Sequence, residues 1–110
     1  MAARFHPGAR VELDEEADRL IAHSLKAFTR FANAVDSSID DVLFWPEAYP
    51  IWPGSELWTE WEAKPLPRSH AVPRHNFRIV YIIRSTEIAI VAVAATKRRP
   101  EYWRERGPDF

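Results

Sequence analysis

The stretch FRIVYIIRSTEIAIVAVAATK, Phe77 to Lys97, decides the fold. Two runs rich in Ile, Val and Tyr flank Ser85-Thr86, and β-formers on either side of a two-residue break predict a β-hairpin. Side chains alternate across a strand, so Phe77, Ile79, Tyr81 and Ile83 face one way and Arg78, Val80, Ile82 and Arg84 the other. The same rule divides the second run into Ala89, Val91, Val93 and Ala95 against Ile88, Ile90, Ala92 and Ala94. Both faces are therefore apolar, and each needs a cover against water.

One cover lies upstream. Leu13, Ala17, Leu20, Ile21 and Phe28 recur at three- and four-residue steps, as do Phe31, Val35, Ile39, Val42 and Leu43, and each set marks one face of an amphipathic helix. Pro7 suits the first turn of the first helix, and Glu12, Asp14, Glu15, Glu16 and Asp18 load its positive end. The break between the helices falls within Ser24 to Thr29, and Pro46 stops the second helix. From Pro46 to Pro73 the periodicity fails in a proline-rich connector that carries Trp52, Trp58 and Trp61, and residues 69 to 74 read as a further strand. Pro100 ends the sheet and opens a helical turn through EYWRER. The expected fold is α+β: one domain over 1–110, with an N-terminal α-helical hairpin packed on a three- to four-stranded antiparallel sheet and a short C-terminal helical turn. One helical hairpin covers one face of a sheet. The other falls to the connector, to another subunit or to a different chain.

The 110 residues have an average globular composition with no cysteine, which excludes a disulfide framework, a thiolate zinc site and thiol catalysis. The N-terminus lacks a signal-peptide core and no apolar run reaches the length of a membrane span, so a cytoplasmic protein without membrane contact is expected. The formal net charge of −1 hides a division. Up to Glu62 there are five Lys/Arg against twelve Asp/Glu, and from Ala63 onward ten against four. The halves attract one another within the fold, or the basic half meets an acidic partner.

No Gly-x-Ser-x-Gly elbow, phosphate loop or dinucleotide fingerprint is present, and the four histidines never pair at i, i+4 beside a Glu. Neither a cofactor nor a metal is expected. What remains is a basic and aromatic set: Arg68, Arg74, Arg78, Arg84, Lys97, Arg98, Arg99, Arg104 and Arg106 with Tyr81, Tyr102 and Trp103. Such residues neutralise phosphates and stack on bases. They can also cleave a phosphodiester without metal, an Arg stabilising transition-state charge while a second cation or a Tyr moves protons.

The segments RFHPGARVEL, FWPEAYPIWPG and, above all, FRIVYIIRSTEIAIVAVAATKRRPEYWRER resemble the RelE/ParE superfamily of bacterial toxins. The match is specific from Phe77 onward and looser over the helices. It implies a type II toxin-antitoxin system, in which the toxin is held inactive by a cognate antitoxin with an acidic, extended tail. It also implies an N-terminal strand through Ala3 to His6 and offers an antitoxin segment as cover for the second sheet face.

Two activities come with the resemblance. RelE-like members cleave messenger RNA on the ribosome; here Arg78, Lys97, Arg98 and Tyr102 match that catalytic set, with Trp103 beside Tyr102. ParE-like members inhibit DNA gyrase without catalysis, and the Pro-x-Tyr-Trp ending is common among them. The strand RSHAVPR has no lysine where RelE-like enzymes carry one, and Ala95 and Thr96 stand where many relatives have a His. Gyrase inhibition is accordingly put ahead of RNA cleavage, with an inert interaction module as the third reading. Contacts to target or antitoxin are expected from Arg68, Arg74, Val80, Ile82, Arg84, Arg99, Trp103, Arg104 and Arg106.

Overall fold

The computed structural model describes residues 1–61, 65–107 and 110. Strand β1 (Ala2–Phe5) leads into α1 (Pro7–His23) and α2 (Leu25–Phe44), and after the connector come β2 (Arg68–Ala71), β3 (Phe77–Ile83) and β4 (Glu87–Ala95). Short 3-10 turns occupy Ser55–Leu57, Thr59–Trp61 and Arg104–Arg106. Two helices thus pack on a four-stranded sheet of order β1-β4-β3-β2.

Local chemistry sets the helix ends. His6 accepts the Gly8 N–H on Nδ1 at 2.9 Å, and Pro7 takes the first helical position, where its missing N–H costs nothing. Ser24 serves both helices: its N–H donates to the Leu20 carbonyl at 2.7 Å and closes α1, while its Oγ accepts from the Ala27 N–H and opens α2. The break falls inside the expected window. Trp45 caps α2 one residue before Pro46. Among the residues read as the apolar stripe, Leu13, Leu20, Phe31, Val35, Ile39, Val42 and Leu43 reach the core, but Ile21 is half exposed.

The hairpin forms where expected, β3 and β4 meeting across Ser85-Thr86 with the Arg84 N–H bonded to the Glu87 carbonyl at 2.9 Å. Two features depart from the sequence reading. First, the sheet is mixed, because β1 runs parallel to β4, with Ala3 opposite Ile88 and Phe5 opposite Ile90. No hairpin turn ties β1 to β4. The helices and two strands intervene, so the direction of β1 is set by its exit into α1, where the His6 N–H makes a further bond to Ile90 at 2.8 Å.

Second, β4 carries a bulge. Val80 pairs with Ala92 and Tyr81 with Ile90, which leaves Val91 as an extra residue. Strict alternation therefore fails halfway along the strand. Ile88, Ile90 and Val93 face the helices, whereas Ala89, Val91, Ala92 and Ala94 share the opposite face with Val80 and Ile82. That places three alanines under the one layer made of large rings.

The ring layer is the chain's own. Trp58, Trp61 and Trp103 are buried on the second face, with Trp52, Tyr102 and Phe110 packed against them. Trp103 is the hub, its ring centroid 5.1 Å from Trp52, 5.7 Å from Trp58 and 6.4 Å from Trp61. The antitoxin segment expected as a cover has no open apolar face to fill. Val80 and Ile82, expected as contact residues, are fully buried beneath the indoles. Each buried indole removes about 200 Å² from water, and at about 25 cal/mol per Å² a short strap of tryptophans does the work of a second helical layer. Trp103→Ala is expected to cost about 3–5 kcal/mol in urea unfolding, whereas Trp45→Ala, at a ring that is 62% exposed, stays within about 0.5 kcal/mol.

Candidate functional site

The chemistry-bearing residues converge where β1 runs out. β1 pairs with β4 only as far as Ile90, so the edge of β4 beyond it has no strand neighbour among the described residues. Glu12 of α1 and Arg106 of the last 3-10 turn take that place: Glu12 Oε1 accepts the Val93 N–H at 3.1 Å, and Arg106 Nη1 donates to the Val91 carbonyl at 2.9 Å. The two side chains also bond each other, Nη1 to Oε1 at 3.1 Å and Nη2 to Oε2 at 2.9 Å. A bidentate pair thereby replaces a missing piece of strand. Gly8 leaves room for this pair, because a Cβ there would meet the Arg106 guanidinium carbon at 2.7 Å and displace the end of that side chain.

The same carboxylate gathers the rest of the basic tail. Arg98 Nη1 donates to Glu12 Oε2 at 3.2 Å, and the Tyr102 hydroxyl donates to the same oxygen. Arg98 also lies over the Tyr102 ring, 3.6 Å from its centroid. The Glu12 side chain is only 9% exposed. Burial, and then the bond to Glu12, push the Tyr102 phenol well above the ordinary tyrosine range. Tyr102 is thus a fixed donor.

Beside this junction, Arg78, Arg98, Arg99 and Tyr102 line a slot of about 120 Å³ walled by Trp52 and Trp103. Arg78 is held by Ser69 Oγ, which accepts from Nη2 at 3.0 Å and Nε at 3.2 Å. Trp52 is fixed by its indole N–H bond to Glu101 at 2.9 Å, and Glu101 sits at φ 64, in the left-handed region. Three of the four residues expected to form a catalytic set are brought together. Lys97 is not, for it borders a separate cavity with Arg74 and His75.

The residues expected to contact a partner are dispersed. Trp103 is 1% exposed and serves as the hub of the indole cluster. Arg104 pairs with Glu60 and lies 4.4 Å from the centre of the Trp58 ring, while Arg106 is bound at the Glu12 junction. Arg68 donates to the carbonyls of Glu47 and Tyr49 and clips the connector to β2. Arg84 bonds Glu87 and the main-chain oxygen of Phe110. Arg74 and Arg99 remain at the surface.

In the sequence Glu12 reads as a macrodipole residue, yet the first turn of α1 contains no acid. Its true role had one trace in the sequence: three residues after buried Ala9 and next to Leu13, it sits at the border of the apolar face. Ser69, Glu60 and Glu101 had no signal, since each matters only through a partner remote in sequence. Among the described residues no group of three or more His, Asp or Glu side chains is assembled as a metal ion requires, and no helix is long and apolar enough to cross a membrane.

Neither a protein-family model nor a curated protein matches the chain. Among solved structures, it is similar in fold to a chain of the structure described as the chromosomal ParDE TA system from P. aeruginosa. The TM-score is 0.55 at 16% identity, over 88% of this chain and 97% of that one.

Because Tyr102 keeps its proton in the folded state beyond the pH at which an unfolded tyrosine loses it, the chain loses stability as pH rises above about 10. Tyr81 adds to this: its hydroxyl donates to the Pro46 carbonyl at 2.6 Å, and burial pushes its pKa up to about 12. Urea midpoints measured from pH 8 to 11 should fall, and the fall should flatten in Tyr102→Phe and in Tyr81→Phe.

Proposed function

We propose that this chain is the toxin of a toxin-antitoxin pair and that it acts as a ParE-like inhibitor of DNA gyrase rather than as an endoribonuclease. The fold likeness to a ParDE system supports the first half of this reading. The second half rests on the Glu12 junction. A nuclease of the RelE kind needs a tyrosine and cations free to move protons and charge at the scissile phosphate. Here Tyr102 donates to a buried carboxylate with its pKa raised, and that carboxylate also holds Arg98 and Arg106. The strand before the hairpin offers Arg68, Ser69 and His70, none of them lysine. His70 is buried against Asp41 at 3.2 Å and is spent on joining β2 to α2.

One observation favours the nuclease reading: Arg78, Arg98, Arg99 and Tyr102 do share a slot. The two readings separate on Tyr102→Phe, with circular dichroism to establish that the variant is folded. Under the gyrase reading, purified protein inhibits supercoiling by gyrase, transcripts stay intact, and Tyr102→Phe still arrests growth when expressed without the antitoxin. Loss of a proton-transferring tyrosine costs an enzyme about 10²–10⁴-fold. Cleaved transcripts that vanish with Tyr102→Phe, together with unaffected supercoiling, would overturn the proposal. Unimpaired growth on expression of the wild-type chain would leave an interaction module of the same fold.

A further inference from the structure

Two aromatic rings stand side by side in water where α2 ends. Phe44 is 77% and Trp45 62% exposed, their centroids lie 5.4 Å apart, and neither belongs to the core. The backbone that carries them is fixed. The Trp45 N–H donates to the Asp41 carbonyl at 2.8 Å, and the Ala48 N–H to the Trp45 carbonyl at 3.0 Å, which closes a turn around Pro46. From β3 the Tyr81 hydroxyl donates to the Pro46 carbonyl at 2.6 Å, and from β2 Arg68 Nη1 donates to the carbonyls of Glu47 at 3.3 Å and Tyr49 at 2.8 Å. The charge around the rings has one sign. Asp36 and Asp40 precede Phe44 by two turns and one turn of α2, and Glu47 lies in the turn itself. All three are exposed and without an ion-pair partner among the described residues. Asp41 adds a fourth, half-exposed carboxylate, which contacts His70 at 3.2 Å. From Phe31 to Ala63 the chain holds seven Asp/Glu and no Lys, Arg or His, and Arg68, the cation bonded to the turn, is spent on its carbonyls.

We infer that the Phe44–Trp45 turn docks on a partner protein through a cationic surface of that partner, one in which Arg or Lys side chains surround an apolar notch. Large rings supply most of the binding energy at protein interfaces, and rings on a braced turn lose little freedom when they dock. The surrounding carboxylates choose the sign of the partner, and an Arg brought over the Trp45 face gains from the ring as well as from Asp40, Asp41 and Glu47. The same charges decide against the other occupants. Nucleic acid would bring phosphates against four carboxylates although the rings could stack on bases. The acidic antitoxin tail that the family resemblance implies would be repelled in the same way. A second copy meeting the turn through a two-fold axis would set each acidic cluster against its own duplicate. The surface is thus distinct from the basic tail, and it does not depend on which cellular target the chain has.

The test uses the purified full chain and an amphipathic peptide of Arg, Leu and Ala, about 18 residues long, or roughly 27 Å as a helix. Trp45 is the exposed one of the five tryptophans, so its emission reports the site directly. The expected result is saturable binding of the fluorescein-labelled peptide, read by anisotropy, that weakens as salt is raised, together with a blue shift of tryptophan emission on adding the unlabelled peptide. Phe44→Ser combined with Trp45→Ser should weaken binding about tenfold or more. Both side chains lie outside the core, and circular dichroism establishes that the variant is folded. Asp40→Asn with Glu47→Gln should weaken binding about fivefold, whereas Glu15→Gln with Asp18→Asn, an equal loss of charge on α1, should leave it unchanged. Absence of binding, equal binding by the Phe44→Ser/Trp45→Ser protein, or equal binding of a peptide with Glu in place of Arg would each overturn the inference. So would a dimer of the wild-type chain in sedimentation that the ring variant loses, or displacement of the peptide by a single-stranded oligonucleotide. Peptide binding is read without gyrase or ribosomes, so it fails or stands independently of the proposed cellular target.

Discussion

A single carboxylate, that of Glu12, sets the arrangement of this protein's C-terminal half. It is nearly withdrawn from water and accepts bonds from the Val93 N–H, Arg98, Arg106 and Tyr102. A buried charge of this kind is tolerable only when it is paired and fully bonded, so each partner constrains the others. The constraint acts on topology as well as on chemistry. By capping the β4 edge beyond the end of β1, Glu12 and Arg106 let a four-residue strand suffice where a longer one would otherwise be needed. They also hold the chain after β4 against α1, which brings Trp103 down onto the sheet.

The tryptophan layer follows from that placement. Trp61 donates to the Arg104 carbonyl at 3.1 Å, Trp52 to Glu101 at 2.9 Å, and Glu60 pairs with Arg104, so connector and tail are bonded to each other as well as packed. The bulge at Val91 turns Ala92 to the same face as Ala89 and Ala94, and the loss of side-chain volume there is what admits the indoles. A sheet with two apolar faces is in this way closed by its own chain. The charge division resolves likewise: acidic first half and basic second half meet through Glu12, which pairs with Arg98 and Arg106, and Glu60, which pairs with Arg104.

For function, the consequence is that residues which look catalytic in the sequence differ in what they are free to do. Tyr102 and Arg98 lie beside Arg78 at the slot, but they are engaged from the side of Glu12, while Arg78 is held by Ser69 and Arg99 is exposed. Proximity alone is not a site. A proton-transfer residue needs a pKa near the working pH, and burial together with a carboxylate partner moves a phenol the wrong way.

Local pattern determined a good deal. The period-two run from Phe77, a helix break within Ser24 to Thr29, the Pro46 stop and the shared face of Ile79 and Tyr81 were all legible, because each depends on near neighbours in the chain; which of the two faces meets the helices was not. The N-terminal strand came through the family resemblance, but its parallel direction did not, since nothing adjacent in sequence fixes it. The bulge was invisible, as Val91 and Ala92 are ordinary strand residues whose extra step appears only against β3. Only the tertiary structure decided that Glu12 faces inward, that Val80, Ile82 and Trp103 are core and not contact surface, and that the cationic tail is largely neutralised. The physical reason is the same in each case: a charge or an indole takes its role from what it meets, and here those partners lie tens of residues away in sequence.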